Sequence, residues 1–113
     1  MTLFLAYRSL GITKTITIQD GDGETIIPGA NDQLRAKIGR EGADALLTVT
    51  ETASVAGSVF TKDTTAGANT LRLDATDLAT LEAGTYTLTI ILVDNADATE
   101  SKNVDRQVFQ LCP

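Results

Sequence analysis

From Asn69 to Asn95 the hydrophobic period of this chain changes twice without a break, and few architectures accept such a run. Leu71 and Leu73 alternate with Thr70 and Arg72, the period of a half-buried strand, after which Leu78 and Leu81 fall at helical spacing. Past Gly84 the two-residue period resumes, with Tyr86, Leu88, Ile90 and Leu92 on one face and Thr85, Thr87 and Thr89 on the other. The pattern predicts a strand, one short helical turn near 75–82 and a long strand. Asp74 stands where its carboxylate can accept backbone N–H groups near Asp77, and Gly84 offers a permissive backbone at the end of the turn. Tyr86 is expected to pack its ring inside and aim its hydroxyl at a nearby carbonyl. Ile91 and Val93 make both faces apolar toward the end of the long strand, which marks either a central strand or a contact surface.

The rest of the chain speaks the same language. Ile12, Lys14, Ile16 and Ile18 share one face of a strand, and an inward lysine near a strand's start marks a sheet edge. A turn at Asp20–Glu24, a short extension at 25–27 and a loop through Pro28-Gly29 and Asn31-Asp32 lead to Leu34, Ala36 and Ile38. These alternate with Gln33, Arg35 and Lys37 until Gly39 and Gly42 stop the strand. Residues 45–51 read as a strand with Leu47 and Val49 buried, and 57–62 as another with Val59 and Phe60 on opposite faces. In the last strand, 102–111, the apolar spacing shifts parity at Val108-Phe109, which a bulge would explain. About seven or eight strands and turn signals roughly every 8–12 residues predict an all-β, immunoglobulin-like antiparallel β-sandwich, with a small barrel as the alternative. At 113 residues it forms a single domain, 1–113.

Several kinds of chemistry are poorly provided for. The chain has no histidine, the commonest general base and metal ligand, and its one cysteine, Cys112, has no internal disulfide partner. The formal charge of −6 and the scattered basic residues disfavour nucleic acid as a partner. No apolar run reaches the roughly 20 residues of a membrane helix, and 1–10 lacks the basic region and cleavage site of a signal peptide. Asp20, Asp22 and Glu24 alternate on a glycine-rich turn and are weak calcium candidates, because Asn31 stands where a bidentate glutamate would close the loop. With no Trp, aromatic platforms for a glycan are scarce. What remains is apolar and backbone surface. Leu3, Phe4, Leu5 and Tyr7, apolar on both faces, read as the first strand or as an arm laid on a neighbour; with Ile91 and Val93 they are the candidate protein-contact residues.

The ordered residues Leu71, Leu73, Asp77, Leu81, Gly84, Thr85, Tyr86, Leu88, Ile90 and Val93-Asp94 resemble a pattern in small immunoglobulin-like modules of tailed-bacteriophage virions, of the capsid decoration or the tail and baseplate adaptor type. Ile16-Thr17-Ile18, Asp22-Gly23 and Leu34-Ala36-Ile38 stand where such modules place their first sheet. The resemblance implies a non-enzymatic structural protein without a cofactor, located in the virion after assembly in the host cytoplasm. Its implied partners are other virion proteins of the capsid or tail lattice, or further copies of itself, and neither nucleic acid nor membrane. A chain ending at Pro113 suits a head-surface subunit better than an adaptor continuing into a longer chain. A soluble calcium- or glycan-binding module, centred on Asp20–Glu24 or on the turn Asp94–Glu100, is the alternative from a different class.

Overall fold

A computed structural model describes residues 3–19, 22–93 and 101–113. Ten strands and one short helix follow in chain order: β1 (Leu3–Tyr7), β2 (Ile12–Ile16), β3 (Ile18–Gln19), β4 (Thr25–Ile26), β5 (Gln33–Gly39), β6 (Leu47–Val49), β7 (Val59–Thr61), β8 (Asn69–Leu73), α1 (Ala75–Leu78), β9 (Gly84–Val93) and β10 (Ser101–Cys112). They build a five-stranded sheet, β1-β10-β9-β5-β6, a three-stranded sheet, β2-β8-β7, and the small β3-β4 pair. One apolar core draws on all of them: Leu34, Ala36, Ile38, Leu88, Ile90 and Phe109 from the large sheet, and Ile16, Phe60, Leu71 and Leu73 from the smaller one. The all-β, sandwich-like class expected from the alternation is what the chain adopts.

Several details differ from the expectation. The sandwich is not wholly antiparallel, because β1 pairs parallel to β10, Leu3 opposite Val108 through Tyr7 opposite Cys112. Parallel neighbours require a long connection, and strands from opposite ends of the chain have the whole domain as theirs. Gly11 then turns the chain into the other sheet: its φ of +69° suits glycine, and a Cβ there would stand 2.6 Å from the Leu73 carbonyl oxygen. Two strands more than the upper expectation arise because 12–19 changes partner at Thr17, which splits it into β2, paired with β8, and β3, and because the short extension at 25–27 pairs with β3 as β4. The strand expected over 45–51 is only Leu47–Val49, with Val49 buried and Leu47 half-buried. The bulge lies at Asn103–Asp105, not at Val108-Phe109, which pairs regularly with Thr87 and Tyr86. A shift there changes the parity of everything after it, so the spacing anomaly surfaces several residues downstream.

Around α1 the local reading holds with one correction. The Asp74 carboxylate accepts the Thr76 N–H at 2.9 Å and caps the turn, while Leu78 and Leu81 anchor it in the core. The helix itself stops at Leu78, and tighter i→i−3 bonds, Thr80 to Asp77 and Leu81 to Leu78, carry the chain on. Gly84 is therefore not the end of the helix but the first residue of β9; Ala79, at φ −64°, closes the helix without left-handed backbone. Serines the sequence did not single out tie this corner down. Buried Ser58 accepts the Asp74 N–H at 2.8 Å, and the Ser54 hydroxyl donates to Asp77 at 2.7 Å. Asn69, fully buried, donates to the Ile16 carbonyl at 3.1 Å and accepts the Asp63 N–H at 2.9 Å, so its amide is satisfied.

Register then builds the centre of the molecule. Phe4 lies opposite Phe109, and Phe109 opposite Tyr86, so three rings form a row across β1, β10 and β9 on the inner face. Their centroids are 5.0 and 5.8 Å apart, both pairs stacked. Cations flank the row: the Lys14 ammonium lies 4.5 Å from the Phe4 centroid and the Arg40 guanidinium 4.7 Å from that of Tyr86. The Tyr86 hydroxyl donates to the Glu82 carbonyl at 2.6 Å, the hydrogen bond back to the preceding corner that was expected of it. Tyr86→Phe keeps the ring and loses that bond, so urea denaturation should show about 1–2 kcal/mol of destabilisation. Phe109→Ala interrupts the row at its middle and should cost about 3–5 kcal/mol by the same measurement.

Candidate interaction surface

The two main sheets have four edges, and three of them are protected. On β2, Lys14 faces inward over the Phe4 ring, as expected of an edge strand. β6 and β7 are three residues each. Lys62, directly after β7, is held by the Ala30 carbonyl at 2.9 Å, the Asp32 carbonyl and the Glu51 carboxylate at 3.3 Å. The fourth edge, β1, is five residues long and carries no charge. Leu5 and Tyr7 face outward from it, 54% and 45% exposed. Arg8 donates its N–H to Cys112 at 3.0 Å, so by the alternation of a parallel ladder the main-chain groups of Leu5 point to the open side. The Tyr7 carbonyl is occupied by Leu10 and Gly11.

Of the residues singled out in the sequence, only some are brought to this surface. The segment 3–7 is the first strand of its own sandwich, not a detached arm; Leu3 opens it and Phe4 is half-buried in the aromatic row. Ile91 and Val93 are only 9% and 6% exposed, since β9 is a central strand flanked by β10 and β5, so they offer little surface to a partner. Asp22 and Glu24 lie exposed on their loop, whereas Asp20 and the turn Asp94–Glu100 fall outside the described residues. Cys112 is half-buried and a free thiol.

The outer face of the five-stranded sheet has a character that sequence reading missed. Thr89 of β9 stands opposite Lys37 of β5 on one side and Arg106 of β10 on the other, so the two cations share one lateral row. Arg35 lies two residues along β5 on the same exposed face. Among the described residues pointing outward from these five strands, none is Asp or Glu. The connection 40–46 folds back over this face, because the backbone of Asp44 approaches Gly39 so closely that a Cβ there would stand 2.9 Å from its carbonyl oxygen. Between connection and sheet lies a cleft of about 280 Å³ lined by Lys37, Arg40, Glu41, Thr89, Ile91 and Arg106, among others. Glu41 reaches across β9 to Arg106 at 3.2 Å. Arg35 and Lys37 were legible as the polar side of β5, but only register reveals that Arg106 joins them.

The chain matches no known protein-family model and no curated protein. Among the described titratable groups one shift stands out, and it belongs to a loop rather than to this face. Asp63 is held below the ordinary carboxylate range, chiefly because its carboxylate accepts the N–H groups of Thr65 at 2.9 Å and Ala66 at 3.2 Å, with a further contribution from Ala68. A depressed carboxylate pKa stabilises the fold fully above the unfolded value of about 3.9, and the benefit is lost as pH falls through the lower folded value. A carbon-detected NMR titration should therefore find Asp63 titrating below that value, and Asp63→Asn should flatten the acid limb of the stability profile. Titration at the ordinary value would show that the loop does not hold the carboxylate.

Proposed function

We propose that this chain is a non-enzymatic virion structural protein, an immunoglobulin-like sandwich that attaches laterally to an assembled phage particle as a capsid decoration or head-surface subunit. The observation that carries this reading is the β1 edge: uncharged, five residues long, with Leu5 and Tyr7 exposed, on a molecule whose other main edges are blunted. Supporting the immunoglobulin-like assignment are the strand order β1-β10-β9-β5-β6 facing β2-β8-β7, and a tyrosine at the start of β9 bonded back to the preceding corner. The family resemblance of the ordered residues from Leu71 to Asp94 supports the virion setting. Attachment by one modest edge becomes firm when a lattice repeats it, because symmetry multiplies weak contacts without a strong single site. A tail or baseplate adaptor would use the same edge.

Quantitative mass spectrometry of purified particles from a culture expressing the chain tests the reading. Stoichiometric copies are expected, and electron microscopy of labelled protein separates head from tail. Leu5→Lys with Tyr7→Lys, at exposed positions where stability should change by no more than about 0.5 kcal/mol, should cut incorporation severalfold. Particles lacking the chain overturn the proposal.

A further inference from the structure

The cleft on the outer face has an unusual electrostatic setting. In a chain of net charge −6, three of the described residues lining it are cations, and among those described residues Glu41 is the one acid. Lys37 and Arg106 flank Thr89 in the same lateral row, which places their backbones about 10 Å apart, two strand spacings. Lys37 has no carboxylate partner among the described residues. Arg40 is committed to the Tyr86 ring, 4.7 Å from its centroid, and its hydrogen bonds among the described residues are long, 3.4 Å to the Tyr86 hydroxyl and 3.5 Å to the Thr85 carbonyl. Glu41 is one of the partners of Arg106, and because the two side chains are 48% and 80% exposed this particular contact is open to water and held weakly enough to exchange. Glu41 itself comes from the overhanging connection, where it can swing away without disturbing a strand. The floor of the cleft is Thr87 and Thr89 of β9 with the small exposed part of Ile91, so an entering group meets cations at the sides and threonine side chains beneath.

From this arrangement we infer that the cleft receives the carboxylates of an acidic loop on a neighbouring protein subunit, which displace Glu41 from Arg106 and engage Lys37. Charge complementarity sets the chemistry of the occupant, and the size of the cleft admits one or two side chains rather than a length of nucleic-acid backbone. That the neighbour belongs to a protein lattice rests on the function proposed above; the preference for carboxylates does not.

The test is an NMR titration of the full ¹⁵N-labelled chain with a hexaglutamate peptide, with hexalysine, a short DNA duplex and inorganic phosphate as comparison probes. Hexaglutamate should move the amide signals of Lys37, Thr87, Thr89 and Arg106 and leave those of Leu71 and Leu73 in the opposite sheet unmoved. Lys37→Glu with Arg106→Glu should weaken that binding about tenfold. Glu41→Gln, a conservative change at an exposed position, should strengthen it about twofold or more, which a merely non-folding charge variant cannot mimic. No localised shifts, or a weaker affinity in Glu41→Gln, overturns the inference. Equal response to duplex or phosphate at matched charge also overturns it, by reducing the cleft to general anion attraction. Concentration-dependent self-association that the charge reversal abolishes would give the cleft to a second copy instead. Particles that contain the chain while the cleft stays silent would refute this inference alone.

Discussion

The row Lys14, Phe4, Phe109, Tyr86, Arg40 is the interaction on which the rest of the structure depends. It joins both ends of the chain, since Phe4 belongs to the first strand and Phe109 to the last, and it seals the core where no tryptophan or disulfide is present to do so. Each stacked pair adds roughly 0.5–1.5 kcal/mol beyond the area it buries, and a cation over a ring adds a comparable amount. The register of β1 on β10 is consistent with it, because Phe4 stacks on Phe109 when the two stand opposite each other on adjacent strands. Both cations also have local roles: Lys14 guards the β2 edge, and Arg40 stands at the mouth of the outer cleft.

Seating β1 at the rim of the large sheet has a consequence for the surface. Its inner residues, Phe4 and Ala6, are committed to the core, so its outer ones, Leu5 and Tyr7, are left on an open edge of a strand that itself carries no charge. At the opposite side of the same sheet, Arg35 and Lys37 face out, and Arg106 answers them across β9. Among the described residues the acidic ones are concentrated in the connections, so acidic loops accompany a neutral-to-basic sheet face. A net negative protein of this design repels its own kind in general while presenting one face from which that repulsion is missing.

Much of the architecture was legible because the signals were local. Leu34, Ala36 and Ile38 against Gln33, Arg35 and Lys37 specify β5 with its buried face, and the change of period around Leu78 and Leu81 specifies a helical turn between two strands. Asp74 was recognisable as a cap and Tyr86 as a buried ring with a tethered hydroxyl, since both roles depend on residues a few positions away. The bulge was anticipated but misplaced: parity reports that a residue was inserted somewhere upstream and does not report where. Ile91 and Val93 suited a contact surface or a central strand equally, and the choice turned on which strands flank β9.

Pairing partners lay beyond the reach of pattern. Side-chain alternation was enough to establish two-faced strands, their order along the chain and a core of β-branched, leucine and aromatic residues, because these follow from the geometry of each strand alone. It could not establish that β1 runs parallel to β10, that Asn69 is buried, or that Lys37 and Arg106 share a row 69 positions apart in the chain. Those facts depend on register between distant segments, which is set by how whole faces pack against each other. The candidate contact edge and the basic cleft are both products of that packing, and for this reason function was written less plainly in the chain than fold.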